Sequence, residues 1–282
     1  MTNRSIPLPT GFAITPLGDN RAEMTVTPLY PGYGMTVGNA LRRVLFSSLP
    51  GAAVSTVKIK GISHEFSAVP HVAEDIVELI MNLKLLRMKL HGDEPQIVVL
   101  KAKGERNVTA KDLDAPTQVE IVNPSQHIAT LTDPAATLDL ELTLTSGRGY
   151  VPVETREKEQ REIGTIAVDA LYSPVKTVTF RTENVRVEQM TNWDKLILQI
   201  ETDGTMSPTD AFRMAAQILA EQFHEIGQRM TDDAERAATD GSPAGEENDG
   251  QTESEPYDES EAPAAEPKKK RKSSKKKTDD EA

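Results

Sequence analysis

The chain has no cysteine among its 282 residues, which excludes disulfides and thiolate metal sites and fits a reducing compartment. Apolar runs are short. No stretch approaches the roughly 20 apolar residues that a membrane span needs, and Met1–Gly11 lacks the apolar core of a secretory signal. A soluble, cytoplasmic protein with no membrane partner is expected. Paired metal ligands are missing too. His64, His71, His91, His127 and His224 stand apart from one another, and none forms a metal-spaced pair. No D-x-D-x-D run is present to hold Mg²⁺, and no nucleophile–base pair is assignable from spacing. The chain by itself reads as non-catalytic, with no cofactor and no metal.

An excess of positive charge is also absent, and the charge that exists is unevenly placed. The formal total is −12. Asp232–Pro267 carries thirteen Asp and Glu against Arg236 alone, and Lys268–Ala282 carries eight Lys and Arg against three acids. Setting those blocks of −12 and +5 aside leaves Met1–Thr231 at −5. Such a body has no reason to grip nucleic acid by bulk electrostatics. Beyond Thr231 apolar residues nearly vanish, so no core offsets the entropy of ordering, and a disordered acidic-then-basic tail is expected.

What is present centres on Gly32–Gly51. From Val37 the small or apolar residues recur at Ala40, Leu41, Val44, Leu45 and Ser48, one face of an α-helix. Asn39, Arg42, Arg43 and Phe46 share a second face, with arginine and an aromatic side by side as at protein contacts. Thr36 is the expected N-cap and Pro50-Gly51 the expected stop. The glycines ahead of the helix resemble a dinucleotide loop, but the third arrives one residue late for G-x-G-x-x-G and no acidic residue follows about 20 positions on. A nucleotide-binding enzyme using the Gly32–Gly38 loop therefore stands as a rival reading. The other reading of these glycines is a sharp turn feeding a tightly packed helix.

Phe12–Leu17 and Ala22–Leu29 read as strands around a Gly18-Asp19-Asn20 turn. Val54–Ile59 reads as a further strand. Val72–Leu86 reads as an amphipathic helix with Ile76, Val77, Leu79, Ile80, Met81 and Leu83 on its apolar side and Glu74 and Asp75 in its first turn, favoured by the helix dipole. Leu86–Leu90, Gln96–Lys101, Val119–Val122, Ile128–Leu131 and Leu138–Thr145 extend a β region. In the last, four leucines alternate with Asp139, Glu141, Thr143 and Thr145. Gly147–Pro152 reads as a turn and Glu154–Glu162 as a solvated charged stretch. Ile166–Ala170, Val175–Val187 and Leu196–Thr202 return to strand character. Ser207-Pro208-Thr209-Asp210 opens a helix with Ser as N-cap, and Phe212, Ala215, Ala216, Leu219, Phe223 and Ile226 line one side of it. The first and last parts of this body must meet, because each offers an amphipathic helix that nothing local covers. The expected fold is α+β, with residues 1–50 plus 172–231 as one domain, a β-rich insertion over 51–171, and a tail over 232–282.

The run Gly32-Tyr33-Gly34-Met35-Thr36-Val37-Gly38-Asn39-Ala40-Leu41-Arg42-Arg43-Val44-Leu45-Phe46-Ser47-Ser48-Leu49-Pro50-Gly51 resembles the signature of the bacterial RNA polymerase alpha-subunit family. Further resembling stretches follow in order: Glu74–Ile76 through Asn82–Lys84, Gly147–Pro152, Val168–Val175 and Glu201–Pro208. The resemblance covers roughly Ile14 to Ile226. The resemblance implies a homodimeric scaffold that nucleates assembly of a DNA-directed RNA polymerase, a nucleotidyltransferase complex for transcription whose catalytic residues lie in other chains. It places Arg42, Arg43 and Phe46 at a beta-subunit contact, and Lys84 and Val168 at a beta-prime contact. It also puts Val37, Leu41, Val44, Leu45, Phe212, Leu219, Phe223 and Ile226 at the dimer interface. DNA is then reached through the assembled enzyme. The family's usual C-terminal DNA-binding domain has no counterpart expected after Thr231. The Lys-rich run Pro267–Lys272 leaves a nucleic-acid-binding protein as a second rival, with at most weak, non-specific contact.

Overall fold

A computed structural model of the chain describes residues 6–62, 64–156 and 164–239, with side chains to residue 230. Contacts divide the chain into Met1–Asp233 and Ala234–Ala282, and the description below concerns the first unit. The fold is α+β, as expected. An opening hairpin, β1 (Gly11–Gly18) and β2 (Arg21–Leu29), leads into helix α1 (Tyr33–Ser47). Strand β3 (Pro50–Ile59) and helix α2 (Ile76–Lys84) follow. Then come β4 (Met88–Leu90), β5 (Gln96–Lys103), β6 (Arg106–Thr109), β7 (Leu113–Asp114), β8 (Val119–Ile121), β9 (His127–Leu131), β10 (Thr137–Arg148), β11 (Tyr150–Val151), β12 (Thr165–Ala167) and β13 (Ala170–Leu171). The long hairpin β14 (Val175–Val187) and β15 (Met190–Thr202) precedes helix α3 (Pro208–Thr239).

Two separate hydrophobic cores result. One lies under a five-stranded sheet of order β12-β3-β10-β5-β7, on which α2 packs. The leucine row of β10 points into it: Leu138, Leu140, Leu142 and Leu144 are all buried, while the alternate residues face out. The other lies between α1, α3 and a four-stranded antiparallel sheet of order β1-β2-β15-β14. That sheet joins the first hairpin of the chain to the last, with Met24 opposite Leu198. Each fully buried leucine in these cores contributes about 1.5–3 kcal/mol.

Tyr172 is wedged where the cores meet. Its hydroxyl lies 2.9 Å from Thr145 Oγ1, its N–H donates to Gly149 O at 2.8 Å, and Gly51 and Gly147 have no Cβ because Tyr172 occupies that space. Thus Pro50-Gly51 does not merely stop α1. Both residues belong to β3, and Gly51 is the point where that strand passes Tyr172. The expected Gly147–Pro152 turn is instead strand on both sides of Gly149, which bends the chain at a positive φ of 65°.

The second helix is shorter than its periodicity implied. Asp75 caps it, accepting from Glu78 N–H at 2.6 Å, and Val72 instead bridges Leu131. Val77 and Met81, expected on the apolar side, are exposed. Glu74, assigned to the helix dipole, lies outside the helix and clamps β9. One oxygen accepts from Thr130 N–H at 2.7 Å, and the other accepts from the Thr130 hydroxyl and lies 2.8 Å from His127 Nε2. Burial works to raise this carboxyl's pKa, but the Thr130 N–H, His127 and the Thr130 hydroxyl together outweigh it and hold the group below its ordinary range. A carboxyl depressed on folding stabilises the fold above its unfolded pKa, and that contribution is lost as pH falls through the folded pKa. Glu74→Ala should therefore cost about 1–3 kcal/mol at neutral pH by orphaning the Thr130 donors. The gap from wild type should close on acidification through and below the carboxylate range. Thermal melts against pH check this, and a gap that stays constant in acid refutes it.

At the other end, Ser207 caps α3, donating to Asp210 Oδ2 at 2.7 Å while accepting from Asp210 N–H at 3.1 Å. The helix then continues past Thr231 to Thr239, where disorder was expected. Asp232–Ala238 is rich in helix formers, and intrinsic propensity extends a preformed helix without a core. The remainder of the expected tail lies outside the described residues, as does much of the charged stretch over 157–163.

Candidate protein-contact faces

The position of α1 is set by a residue far away in sequence. Gly32 is the N-cap, at φ 86°, and no side chain caps it locally. Asp194 of β15 does so instead, one of its oxygens accepting from Gly32 N–H and Gly34 N–H at 2.9 Å each. A carboxylate there complements both the open amides and the positive end of the helix dipole. Thr36, the expected cap, sits in the first turn and turns its hydroxyl back to Gly32 O at 3.4 Å. This arrangement also bears on the nucleotide reading. The amides that would cradle a phosphate are already spent on Asp194.

The helix lies unusually close to the sheet. A Cβ on Gly38 would sit 2.6 Å from the Phe180 ring and 2.8 Å from Leu196, and one on Gly34 would sit 2.8 Å from Thr182. Leu41 and Leu45 complete the inward face, Leu45 at 0% exposure. With that side committed, Asn39, Arg42, Arg43 and Phe46 are all left exposed together. The two arginines have no ionic partner among the described residues.

Lys84 and Val168, far apart in sequence, come together through a residue that spacing did not single out. Lys84 ends α2 and donates to Asp169 Oδ2 at 2.9 Å, while Asp169 Oδ1 accepts from Val153 N–H at 3.0 Å. The lysine, and next the Val153 amide, hold the Asp169 carboxyl below its usual range. Val168 itself is 1% exposed. Its N–H donates to Ser55 O at 2.9 Å and its carbonyl accepts from Arg156. Val168 thus offers no side-chain surface to a partner. It anchors the backbone from which Asp169 meets Lys84.

The expected dimer residues divide in the same way. Leu41 and Leu45 belong to the chain's own core, and Val37, Val44, Phe212 and Leu219 are half-buried beside it. Farther along α3, Phe223, Ile226 and Met230 are exposed at 65%, 58% and 70%. Their spacing of three and four residues makes one stripe. An apolar groove of about 560 Å³ runs beside it between α1, α3 and the segment Ile6–Pro9, with Tyr30, Tyr33 and Phe223 among its walls. The rings of Phe12 and Phe212 meet at its edge, tilted by 40° with centroids 5.5 Å apart. The resemblance put Leu41 and Leu45 at a dimer interface, whereas within the chain both are buried in its own core. Met230 and Ile6–Pro9 escaped notice, the first one turn beyond the recognised stripe and the second too short to show a period.

No group of three or more His, Asp or Glu among the described residues is placed to hold a metal ion, and no described helix is long and apolar enough to cross a membrane. Comparison with known proteins points in one direction. Residues 57–173 match the family model described as the RNA polymerase Rpb3/RpoA insert domain. The DNA-directed RNA polymerase subunit alpha of Carboxydothermus hydrogenoformans is 48% identical over 218 residues, covering 76% of this chain and 69% of the relative. Its namesake in Moorella thermoacetica is 46% identical over 220 residues, 77% of this chain and 70% of the relative. That of Acidothermus cellulolyticus is 45% identical over 217 residues, 77% and 63%.

Proposed function

The chain belongs to the family of DNA-directed RNA polymerase alpha subunits, and from that premise we propose how its surfaces divide the work of assembly. It acts as a homodimeric scaffold. The groove and the stripe of α3 join two copies, the exposed row of α1 meets the beta subunit, and the Lys84–Asp169 surface meets beta-prime. Residues 1–50 with 172–231 form the dimerising domain, and residues 51–171 form the insertion that carries the beta-prime side. Nucleotidyl transfer belongs to the assembled complex, this chain contributing placement rather than chemistry, and DNA is reached through that complex in the cytoplasm.

The observation that carries the reading is the state of α1. One face is locked against the sheet by Gly34, Gly38, Leu41 and Leu45, and Asp194 fixes its start, so Arg42, Arg43 and Phe46 are presented on a rigid rod. Preorganised arginine and aromatic side chains are the residues that dominate protein interfaces. Arg43→Ala should leave the dimer intact and weaken capture of beta by ~2 kcal/mol or more, about thirtyfold. Arg42→Ala is the comparison, since neighbours on a helix point about 100° apart. Pull-down with tagged beta subunit decides it, and undiminished capture by both variants would end this assignment.

A further inference from the structure

A cleft of about 410 Å³ opens where the two cores meet. Phe46 at the end of α1, Tyr150 of β11 and Leu171 of β13 stand around its mouth, all three exposed. Its floor is the Arg87–Asp203 pair, 3.8 Å apart and mostly buried. The carboxylate of the floor is already engaged: Asp203 accepts from Thr205 N–H at 2.9 Å and from the Thr205 hydroxyl at 2.6 Å. The backbone N–H of Arg87 donates to Asn123 Oδ1 at 2.7 Å and fixes the chain that carries the guanidinium. Isolated exposed apolar residues are ordinary, but three converging on one opening mark a contact site.

The rim has one sign of charge. Lys176 lines the cleft, and Arg42 and Arg43 stand one helical turn behind Phe46. All three are exposed and have no carboxylate partner among the described residues, whereas the carboxylate within the cleft, Asp203, is already paired. We infer that the cleft is an anchor pocket for an acidic segment of the beta subunit. That segment inserts one aromatic or branched aliphatic side chain between Phe46, Tyr150 and Leu171, with flanking carboxylates meeting Arg42, Arg43 and Lys176. The inference rests on the reading that the α1 face meets beta. Phe46 is shared between that face and the cleft, so one partner covers both. The inserted side chain also spans the seam. Phe46 comes from the helix packed on one core, and Arg87 follows the helix packed on the other, so occupation ties the two cores together. A desolvated pocket ringed by polar contacts is where interface hot spots sit.

The test uses the full chain and purified beta subunit, with affinity measured by titration for Leu171→Ala, Lys176→Glu and Arg43→Ala. Each variant is first confirmed to sediment as wild type does. Leu171→Ala removes one wall and Lys176→Glu reverses the rim, and each should weaken binding tenfold or more. Lys176 is exposed on a strand that stays paired, so that variant carries the test even if Leu171→Ala misfolds. Wild-type affinity in the cleft variants overturns the anchor pocket. In that event a weakened Arg43→Ala leaves the α1 contact standing, and an unaffected Arg43→Ala removes both.

Discussion

Gly51→Ala should abolish the cooperative fold at temperatures where the unaltered chain is intact. The added Cβ would sit 1.8 Å from the carbonyl oxygen of Tyr172 and 3.0 Å from its carbon. Both are backbone atoms, so no rotamer change relieves the clash. Tyr172 is held in turn by Thr145 and by Gly149 O, and its ring leaves Gly147 no room for a side chain. β3 would have to move away from this wedge, opening the junction between the cores. Overpacking ordinarily costs about 1–3 kcal/mol, and a backbone-to-backbone overlap belongs at or above the top of that range. Gly18→Ala is the control, because its Cβ would meet nothing within 4 Å. Calorimetry or circular-dichroism melts read the result. An unchanged midpoint for Gly51→Ala would mean that the wedge yields easily and that the cores are loosely joined.

Phe223→Glu combined with Ile226→Glu should turn the dimer into a folded monomer. Both side chains are exposed on α3, well clear of the buried part of the helix, so the substitutions spare the chain's own core. A two-fold interface is self-complementary, so every change is made twice. Burying an unpaired carboxylate costs several kcal/mol per ion, and 4.1 kcal/mol is already a thousandfold in dissociation constant. Sedimentation equilibrium gives the mass and circular dichroism reports the fold. A doubly substituted chain that still sediments as a dimer would place the contact elsewhere. Leu45→Glu cannot make the same point. At 0% exposure within the chain, its carboxylate would unfold the protomer and remove the dimer only as a by-product.

How far the sequence could be read depended on the range of the interactions involved. The two faces of α1, the leucine row of β10 and the Ser207 cap of α3 are local and periodic, and all three stand in the structure where the pattern put them. Interactions over long separations were illegible. Nothing near Gly32 announces that its cap is Asp194, and nothing near Glu74 announces Thr130. The same reason moved the N-cap of α1 four residues back from Thr36 to Gly32, since local capping rules had no access to a distant carboxylate. Resemblance carries a residue's position but not its burial. Val168, Leu41 and Leu45, expected at contacts, are buried within the chain itself. Two-residue strands such as β7, β11 and β13 carry too few positions to show alternation and exist only through their pairing partners.

The pairing of the first hairpin with the last has a consequence for synthesis. The strand that lies between β2 and β14 is β15, and it also carries the carboxylate that caps α1, 162 residues after Gly32. The five-stranded sheet needs nothing beyond Ala167. On a ribosome the insertion can therefore close first, while α1 waits with its apolar side uncovered for a strand not yet made. At translation rates of ~5–20 residues per second, the interval from the end of α1 to the emergence of β15 is roughly 7–30 s. For that time the nascent chain displays an amphipathic helix without its sheet, which is the kind of surface a chaperone shields and an aggregate nucleates on. Every half-made copy thus lacks both the strand that completes the sheet under α1 and the exposed stripe of α3 that follows it.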